Sequence, residues 1–252
     1  SGQTLNDPGV DQQAILTELG DPNLILLQST DELPVNWSGG ITAGTSVDVF
    51  SDGRFGVIAT ASLSNKYRNR FITRQAALNG DLDLDQTGNQ FQTDQRILAN
   101  AMLGFGLEVG EHRFRLTNLY IRDSLKRASL AQISDLTDDD DDLFQNTGWY
   151  ERQLLDTQFV GELEFGDLSI DLRGGYAQTQ REAPNEWEFV YSRDLNPSGG
   201  FDDIYLNLQN GGQRGRTTVA FSDLTEDLYY GGLDVSYQLT NWLGVTVGGA
   251  YT

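Results

Sequence analysis

Cysteine is absent from the 252 residues, and histidine occurs once, at His112. The sequence therefore has no disulfide framework and no thiolate chemistry, and it excludes metal sites built from several histidines. Proline is scarce, with 5 residues, whereas glycine is abundant, with 28. No apolar run reaches the ~18 residues of a transmembrane helix. Few prolines and many tyrosines suit long strands, and the many glycines are unfavourable in helices, so strands are favoured over helices.

Basic residues are also in short supply. The chain has 17 lysines and arginines against 37 aspartates and glutamates, which gives a formal net charge of −20. A surface this acidic repels the phosphates of nucleic acids. Nucleic acid is therefore not expected as a partner.

Alternating hydrophobicity organises the centre of the chain. Every second residue is apolar in one stretch: Ile97, Ala99, Ala101, Leu103, Phe105, Leu107 and Val109. A period of two predicts a β-strand with one apolar face. A short turn at Gly110-Glu111-His112 follows, and Phe114, Leu116 and Tyr120 alternate in the second arm of a hairpin. Both arms reach the ~9–11 residues that a tilted strand needs to cross a bilayer.

The same pattern predicts four hairpins, at about residues 34–75, 95–122, 149–182 and 225–252. Short turns are expected near residues 52, 111, 167 and 241. Residues 1–32 and three further polar stretches are expected to be loops: Asn79–Asn89, Asp123–Gly148 and Asp194–Arg216. Short turns on one side and long loops on the other are typical of outer-membrane barrels. The prediction is an all-β, antiparallel, up-and-down transmembrane barrel with short periplasmic turns and long extracellular loops. The alternative is a soluble β-sandwich or solenoid, whose strands also alternate but are usually shorter.

Several segments resemble the barrel of TonB-dependent outer-membrane receptors, and together they cover most of Leu33–Thr252. They are Gly56–Arg70, His112–Ser124, Trp149-Tyr150-Glu151-Arg152-Gln153-Leu154, Gly161–Gly166, Tyr176-Ala177 and Arg181–Pro184. These are strand patterns rather than catalytic signatures, so they indicate the family better than the substrate.

The resemblance implies a barrel of ~22 strands, an N-terminal plug domain inside it, and a short box that engages TonB. It also implies transport driven through TonB by the proton gradient of the inner membrane. The sequence shows neither a plug nor a TonB box. We therefore expect an internal piece of a longer receptor, with about eight barrel strands.

Five aromatic residues in the predicted loops are candidates for ligand contact: Trp187, Phe189, Tyr191, Phe201 and Tyr205. Packing within long extracellular ribbons is the alternative interpretation. Charged residues on the polar strand faces are candidates for a polar path through a lumen, or for pairing across the barrel wall. They are Arg96, Arg115, Arg152, Asp156, Glu162, Asp171, Arg173 and Asp234.

Two further features have simple interpretations. The acidic run Asp138–Asp142 carries the oxygen ligands that Ca²⁺ takes, but it lacks the interleaved glycines of a calcium loop, so we interpret it as a solvated loop. His112 is expected to be an exposed turn residue rather than a catalytic group or a metal ligand. No catalytic residue, metal site or cofactor is predicted.

Three functions follow as hypotheses. The first is an outer-membrane receptor in a Gram-negative bacterium that takes up a scarce nutrient such as a siderophore, cobalamin or an oligosaccharide. Its partners would be outer-membrane lipid, TonB, the plug domain and the small nutrient. The second is a passive or adhesive outer-membrane barrel. The third is a secreted, soluble, acidic β protein that binds calcium or glycans. An enzyme is the least supported class.

Overall fold

The computed structural model describes residues 9, 11, 14, 27–136, 140–194, 198, 200, 203–207 and 215–252. In these residues, eight strands form a single antiparallel sheet in which each strand pairs with the next along the chain, in the order β1 to β8. The strands are β1 (Trp37–Val49), β2 (Gly53–Ala77), β3 (Leu84–Val109), β4 (His112–Asp135), β5 (Asp140–Phe165), β6 (Leu168–Asp194), β7 (Arg216–Thr240) and β8 (Leu243–Tyr251). The all-β, up-and-down prediction is thus confirmed, and the sheet is open.

Tight turns join consecutive strands at one end of the sheet. Gly110 and Gly166 open two of these turns with φ angles of 57° and 65°, in the left-handed region that glycine adopts without strain. Such two-residue turns suit the right-handed twist of a hairpin. All four predicted turns are confirmed, near residues 52, 111, 167 and 241.

Two of the predicted loops are wrong. Only residues 78–83 separate β2 from β3, and only residues 136–139 separate β4 from β5. Most of Asn79–Asn89 therefore lies in β3, and most of Asp123–Gly148 lies in β4 and β5. The strands from β2 to β7 have 24 to 27 residues, so they continue well beyond the alternating segments. Most of Asp194–Arg216 and of the predicted 1–32 loop lies outside the described residues.

Register divides the residues of each strand between two faces. One face carries Ala59, Leu103, Leu116, Phe159, Leu172 and Leu233 in adjacent strands, and we call it the apolar face. The opposite face carries Asn100, Glu162, Asp171 and Asp234, and we call it the polar face. The sheet stays one layer thick in the described residues, so no second sheet covers the apolar face.

A row of paired residues divides the sheet by height: Ala61, Ala101, Tyr120, Leu155, Gln178 and Asp227. We call the part between this row and the tight turns the turn-side half, and the part beyond it the loop-side half. Apart from two glycines, the buried residues of the described part all lie in the loop-side half. Among the described residues, no helix has the length and apolar character needed to cross a bilayer.

Candidate binding site: a basic cluster on the polar face

Six basic side chains meet on the polar face of the loop-side half. This basic cluster consists of Lys66, Arg68 and Arg70 from β2, Arg96 from β3, Arg127 from β4 and Arg152 from β5. The three β2 residues alternate along the strand, so they share one face. Register then places Lys66 opposite Arg96, and Asp94 between Arg68 and Arg127. Together with polar neighbours they line a hollow of about 580 Å³.

The hollow is basic although the chain is acidic. It holds six of the 17 basic residues of the protein. Its two carboxylates are Asp94 and Asp123, so six positive and two negative charges leave a net charge of +4 among its lining residues. A concave site with one sign of charge focuses the field of that sign. The hollow therefore attracts anions, although the chain as a whole has a formal net charge of −20.

Asp94 holds the middle of the basic cluster. Its carboxylate accepts hydrogen bonds from Arg70, from Arg127 Nε at 2.8 Å and from Gln92 Nε2 at 2.9 Å. Gln92 in turn accepts one from Gln90 Nε2 at 3.3 Å. Burial acts to raise the pKa of Asp94, but the hydrogen bonds from Arg127, Gln92 and Arg70 outweigh it and the pKa is lowered. Asp94 is therefore a charged structural anchor.

Half of the basic cluster has no such partner. Arg96 forms a bidentate pair with Asp123, with both distances 2.7 Å. Lys66, Arg68 and Arg152 make no ion pair with any residue in the described part of the chain. All three are exposed. The cluster thus combines an internally neutralised part with three free cationic side chains.

Tyr150 forms the wall of the hollow on the β5 side. Its hydroxyl donates to Glu186 Oε1 at 2.7 Å, and its ring lies over Gly148. A Cβ atom at position 148 would lie 2.7 Å from that hydroxyl, so glycine is required for this close approach. Burial first, and then the Glu186 carboxylate, raise the pKa of Tyr150 to about 12. The phenol is therefore a neutral hydrogen-bonding group at physiological pH.

A second polar centre lies on the other face, at the loop-side edge. Asp141 is fully buried, and its carboxylate accepts hydrogen bonds from Gln132, Ser134, Arg193 and Tyr205 at 2.7–2.9 Å. The Arg193 guanidinium also stacks on the Tyr205 ring, 4.5 Å from its centroid. This arrangement ties β4, β5, β6 and the segment 203–207 together. Burial opposes the charge of Asp141, but the hydrogen bonds led by Tyr205 lower its pKa.

Asp141 also corrects the interpretation of the acidic run Asp138–Asp142 as a solvated loop. Residues 140–142 belong to β5, while residues 138 and 139 lie outside the described residues. Asp142 accepts a hydrogen bond from the Ser192 hydroxyl. Within the described part, no group of three or more His, Cys, Asp or Glu side chains is arranged to hold a metal ion.

Four of the five predicted ligand-contact aromatics can be located. Trp187, Phe189 and Tyr191 stack along β6, with ring centroids 5.5 and 6.3 Å apart. An extra residue in β6 near Pro184 shifts the register, so these rings lie on the side of the apolar face, opposite the basic cluster. Tyr205 bonds Asp141, and Phe201 lies outside the described residues. Contact of these residues with a ligand remains a prediction.

The predicted facing of the charged residues on the polar strand faces is confirmed. Register places all eight of them on the polar face: Arg96, Arg115, Arg152, Asp156, Glu162, Asp171, Arg173 and Asp234.

His112, by contrast, is not an exposed turn residue. It begins β4, is half-buried, and accepts a hydrogen bond at Nδ1 from the Glu164 backbone N–H at 3.1 Å. Four members of the basic cluster were missed: Lys66, Arg68, Arg70 and Arg127.

The residues of the hollow suit the binding of anions. Its guanidinium groups are planar, permanently charged hydrogen-bond donors that match carboxylates and phosphates. No protein-family model matches this sequence, and no curated protein is significantly similar to it. The function must therefore be inferred from the geometry of the chain itself.

Proposed function

We propose that this chain forms part of the barrel wall of an outer-membrane receptor that takes up a scarce nutrient in a Gram-negative bacterium. The observation that carries the proposal is the uncovered apolar face of the turn-side half. On that face Val247 is 71% exposed, Phe165 is 54% exposed and Leu103 is 39% exposed. Large contiguous apolar surfaces are rare on soluble monomers and mark contacts with proteins or membranes.

The height of the apolar face suits a bilayer. In β3 it runs from Ile97 to Val109, which corresponds to ~40 Å along the strand at ~3.3 Å per residue. A barrel strand tilts by ~45°, which reduces this length to ~28 Å, close to the ~25 Å apolar band of outer-membrane barrels. Burying one large apolar side chain is worth ~1.5–3 kcal/mol. Lipid would supply that burial to the whole face at once.

Aromatic pairs add to the apolar face. Phe114 and Phe159 stack 6.5 Å apart towards the tight turns, and Tyr176 and Tyr229 contact each other 4.9 Å apart in the register row of Leu103. These rings enlarge the apolar surface that lipid would cover. A soluble sandwich would instead cover this face with a second sheet.

The open sheet supports the larger assembly. β1 and β8 each pair with one neighbour in the described residues, which leaves two strand edges. Unpaired edges are not tolerated in lipid, because every backbone polar group there needs a partner. We therefore propose that further strands complete the barrel. The resemblance to TonB-dependent receptors suggests ~22 strands in all, together with a plug domain and energy coupling through TonB.

Cysteine labelling in intact cells tests this proposal. The chain contains no cysteine of its own, so single substitutions Asp81→Cys and Asp167→Cys in the full-length protein give unambiguous signals. Asp81 lies in the β2–β3 connection and Asp167 in a tight turn at the opposite edge. A membrane-impermeant maleimide should label Asp81→Cys on intact cells and Asp167→Cys only after the outer membrane is opened.

Two results would contradict the proposal. Labelling of Asp167→Cys but not of Asp81→Cys on intact cells would show that the orientation is the opposite of the proposed one. A sharp monomer peak of the chain in detergent-free buffer, with cooperative unfolding, would show that the chain is a soluble protein and not a membrane protein. The same labelling in lysed cells is the control, and both variants should react there.

A further inference from the structure

We infer that the basic cluster is a binding site for a small, multiply charged anion that carries carboxylate or phosphate groups. This inference rests on the proposed function, because the polar face is a ligand site only if it lines the lumen of the barrel. It narrows the nutrient from any bulky solute to an anionic one. The observations that carry it are the register of like charges, the three free cations and the size of the hollow.

Like charges stand directly opposite each other in two places. Lys66 in β2 pairs with Arg96 in β3, and Arg152 in β5 pairs with Arg181 in β6. All four side chains lie on the polar face. Like charges at directly opposed positions destabilise an antiparallel sheet. An anion bound between them would remove that repulsion, whereas the rest of the described chain supplies no carboxylate to Lys66 or Arg152.

The carboxylates present are already occupied. Asp94 is shared by Arg70 and Arg127, and Asp123 is held by Arg96. Among the described residues, the three remaining cations, Lys66, Arg68 and Arg152, therefore face the hollow without a counter-charge. The Arg70 Nε atom is also buried there without a hydrogen-bond partner in the described part. A buried donor without an acceptor is unfavourable, so the pairing with Asp94 leaves Arg70 incompletely satisfied.

The hollow has the dimensions of a small-molecule site. Its volume of about 580 Å³ falls within the ~300–1,000 Å³ usual for such sites. It draws lining side chains from four adjacent strands, so the cations approach a ligand from several directions. Tyr150 and Asn36 add neutral hydrogen-bonding groups at its margin. This arrangement favours a compact ligand with several anionic groups over an extended acidic polymer.

Calorimetric titration of the full-length protein in a nonionic detergent tests the inference. The probes are citrate for carboxylates, inorganic tripolyphosphate for phosphates, and maltotriose as an uncharged solute. At least one anionic probe should bind, and maltotriose should not. The triple variant Lys66→Gln/Arg68→Gln/Arg152→Gln should weaken that binding by at least about tenfold, because each lost cation removes a charge-assisted hydrogen bond.

The matched control is Arg54→Gln/Arg113→Gln/Arg115→Gln. These three exposed arginines lie on the same polar face in the turn-side half, and their loss changes the net charge by the same amount. The control should bind the anion as the unmodified protein does. Without probe, the Lys66/Arg68/Arg152 variant should melt at the same or a higher temperature than the unmodified protein, because like-charge repulsion is relieved.

The outcomes separate the two proposals. Equal weakening in both triple variants would show that net charge alone attracts the probe, and would overturn the site. Absence of binding in a protein that passes the cysteine-labelling test would also overturn the site while leaving the receptor function standing. A lower melting temperature of the Lys66/Arg68/Arg152 variant would assign these cations to an acidic segment of the protein itself, against the inference. Binding by a protein that fails the labelling test would refute the membrane location alone.

Discussion

The two halves of this sheet use the same strands in opposite ways. In the turn-side half, apolar residues alternate with polar ones, and the apolar side chains remain uncovered. In the loop-side half, both faces carry polar residues, and the buried groups include Gln90, Gln92, Asp94 and Asp141. The first half therefore leaves one apolar face uncovered in the described residues, whereas the second is held together by hydrogen bonds among its own side chains.

Ion pairs show the difference most clearly. Arg54 and Asp48 in the turn-side half are 3.4 Å apart, with side chains 63% and 84% exposed. Arg193 and Asp141 in the loop-side half are 2.6 Å apart, with Asp141 fully buried. An exposed pair contributes little because water screens it, whereas breaking a buried pair leaves an uncompensated charge. The polar contacts that matter for stability are thus concentrated in the loop-side half.

The largest effect is expected for Asp141→Asn. The substitution removes the charge of a fully buried carboxylate that accepts hydrogen bonds from Arg193 and three other side chains. Breaking such a buried pair typically costs ~3–5 kcal/mol. The free energy of unfolding in detergent or lipid, measured by urea titration, should fall by about that amount. A matched change at the neighbouring Asp142, Asp142→Asn, removes the same charge from a partly exposed site and should cost much less. Equal losses would show that Asp141 contributes no more to stability than Asp142.

A smaller effect is expected for a charge introduced on the apolar face of the turn-side half. In the proposed membrane location, Leu103→Arg puts a charge on the apolar face near mid-membrane and should cost ~2–4 kcal/mol of barrel stability. Asn100→Arg puts the same side chain on the polar face of the same strand and should cost far less. Folding yield into lipid vesicles compares the two variants directly. Similar yields would invalidate the assignment of the two faces.

Acid should weaken the loop-side half first. The folded protein holds the pKa of Asp141 below its ordinary value of 3.8, and it also lowers the pKa of Asp94. Their stabilising contribution is therefore complete above that ordinary value and disappears as the pH falls through the lower pKa of the folded state. The stability difference between the unmodified protein and Asp141→Asn should shrink below about pH 4. A difference that stays constant down to pH 2 would contradict this account.

The smallest effect is expected for Asp48→Asn. Both members of its pair with Arg54 are exposed, so the change should alter the free energy of unfolding by no more than ~1 kcal/mol. The same urea titration measures it, and added salt should reduce the difference further. A loss as large as that for Asp141→Asn would mean that the turn-side half also depends on polar contacts.

Much of the fold could be predicted from the sequence, but only where one face is apolar. The period of two around Leu103 and Leu163 identifies strands and their facing, because burial imposes it. After Arg122 the alternation of apolar and polar residues disappears, and the sequence between Asp123 and Gly148 has the composition of a loop. The strands nevertheless continue, because backbone pairing with neighbours on both sides sustains them without an apolar face.

The candidate site was only half predictable for the same reason. Arg96 and Arg152 lie in or beside alternating segments, so their facing could be assigned. Lys66, Arg68 and Arg70 also alternate, and this spacing was a usable signal for one face of a strand. Arg127 and Asp141 fall in the misassigned loop, and their partners are 33 and 52 residues distant. Register between distant strands, which sequence pattern alone does not supply, decides such contacts.

A spin-label scan along β3 tests the central claim most directly, since the chain has no native cysteine to interfere. Single cysteines from residue 87 to residue 107 in the full-length protein would carry a nitroxide in lipid. Collisions with oxygen report lipid, and collisions with a water-soluble nickel chelate report water. We expect oxygen accessibility to peak at Ala99, Leu103 and Leu107, with the opposite response at Asn100, and no lipid signal at Asn89 or Thr93. Uniform access to the nickel chelate along the whole of β3 would contradict the account.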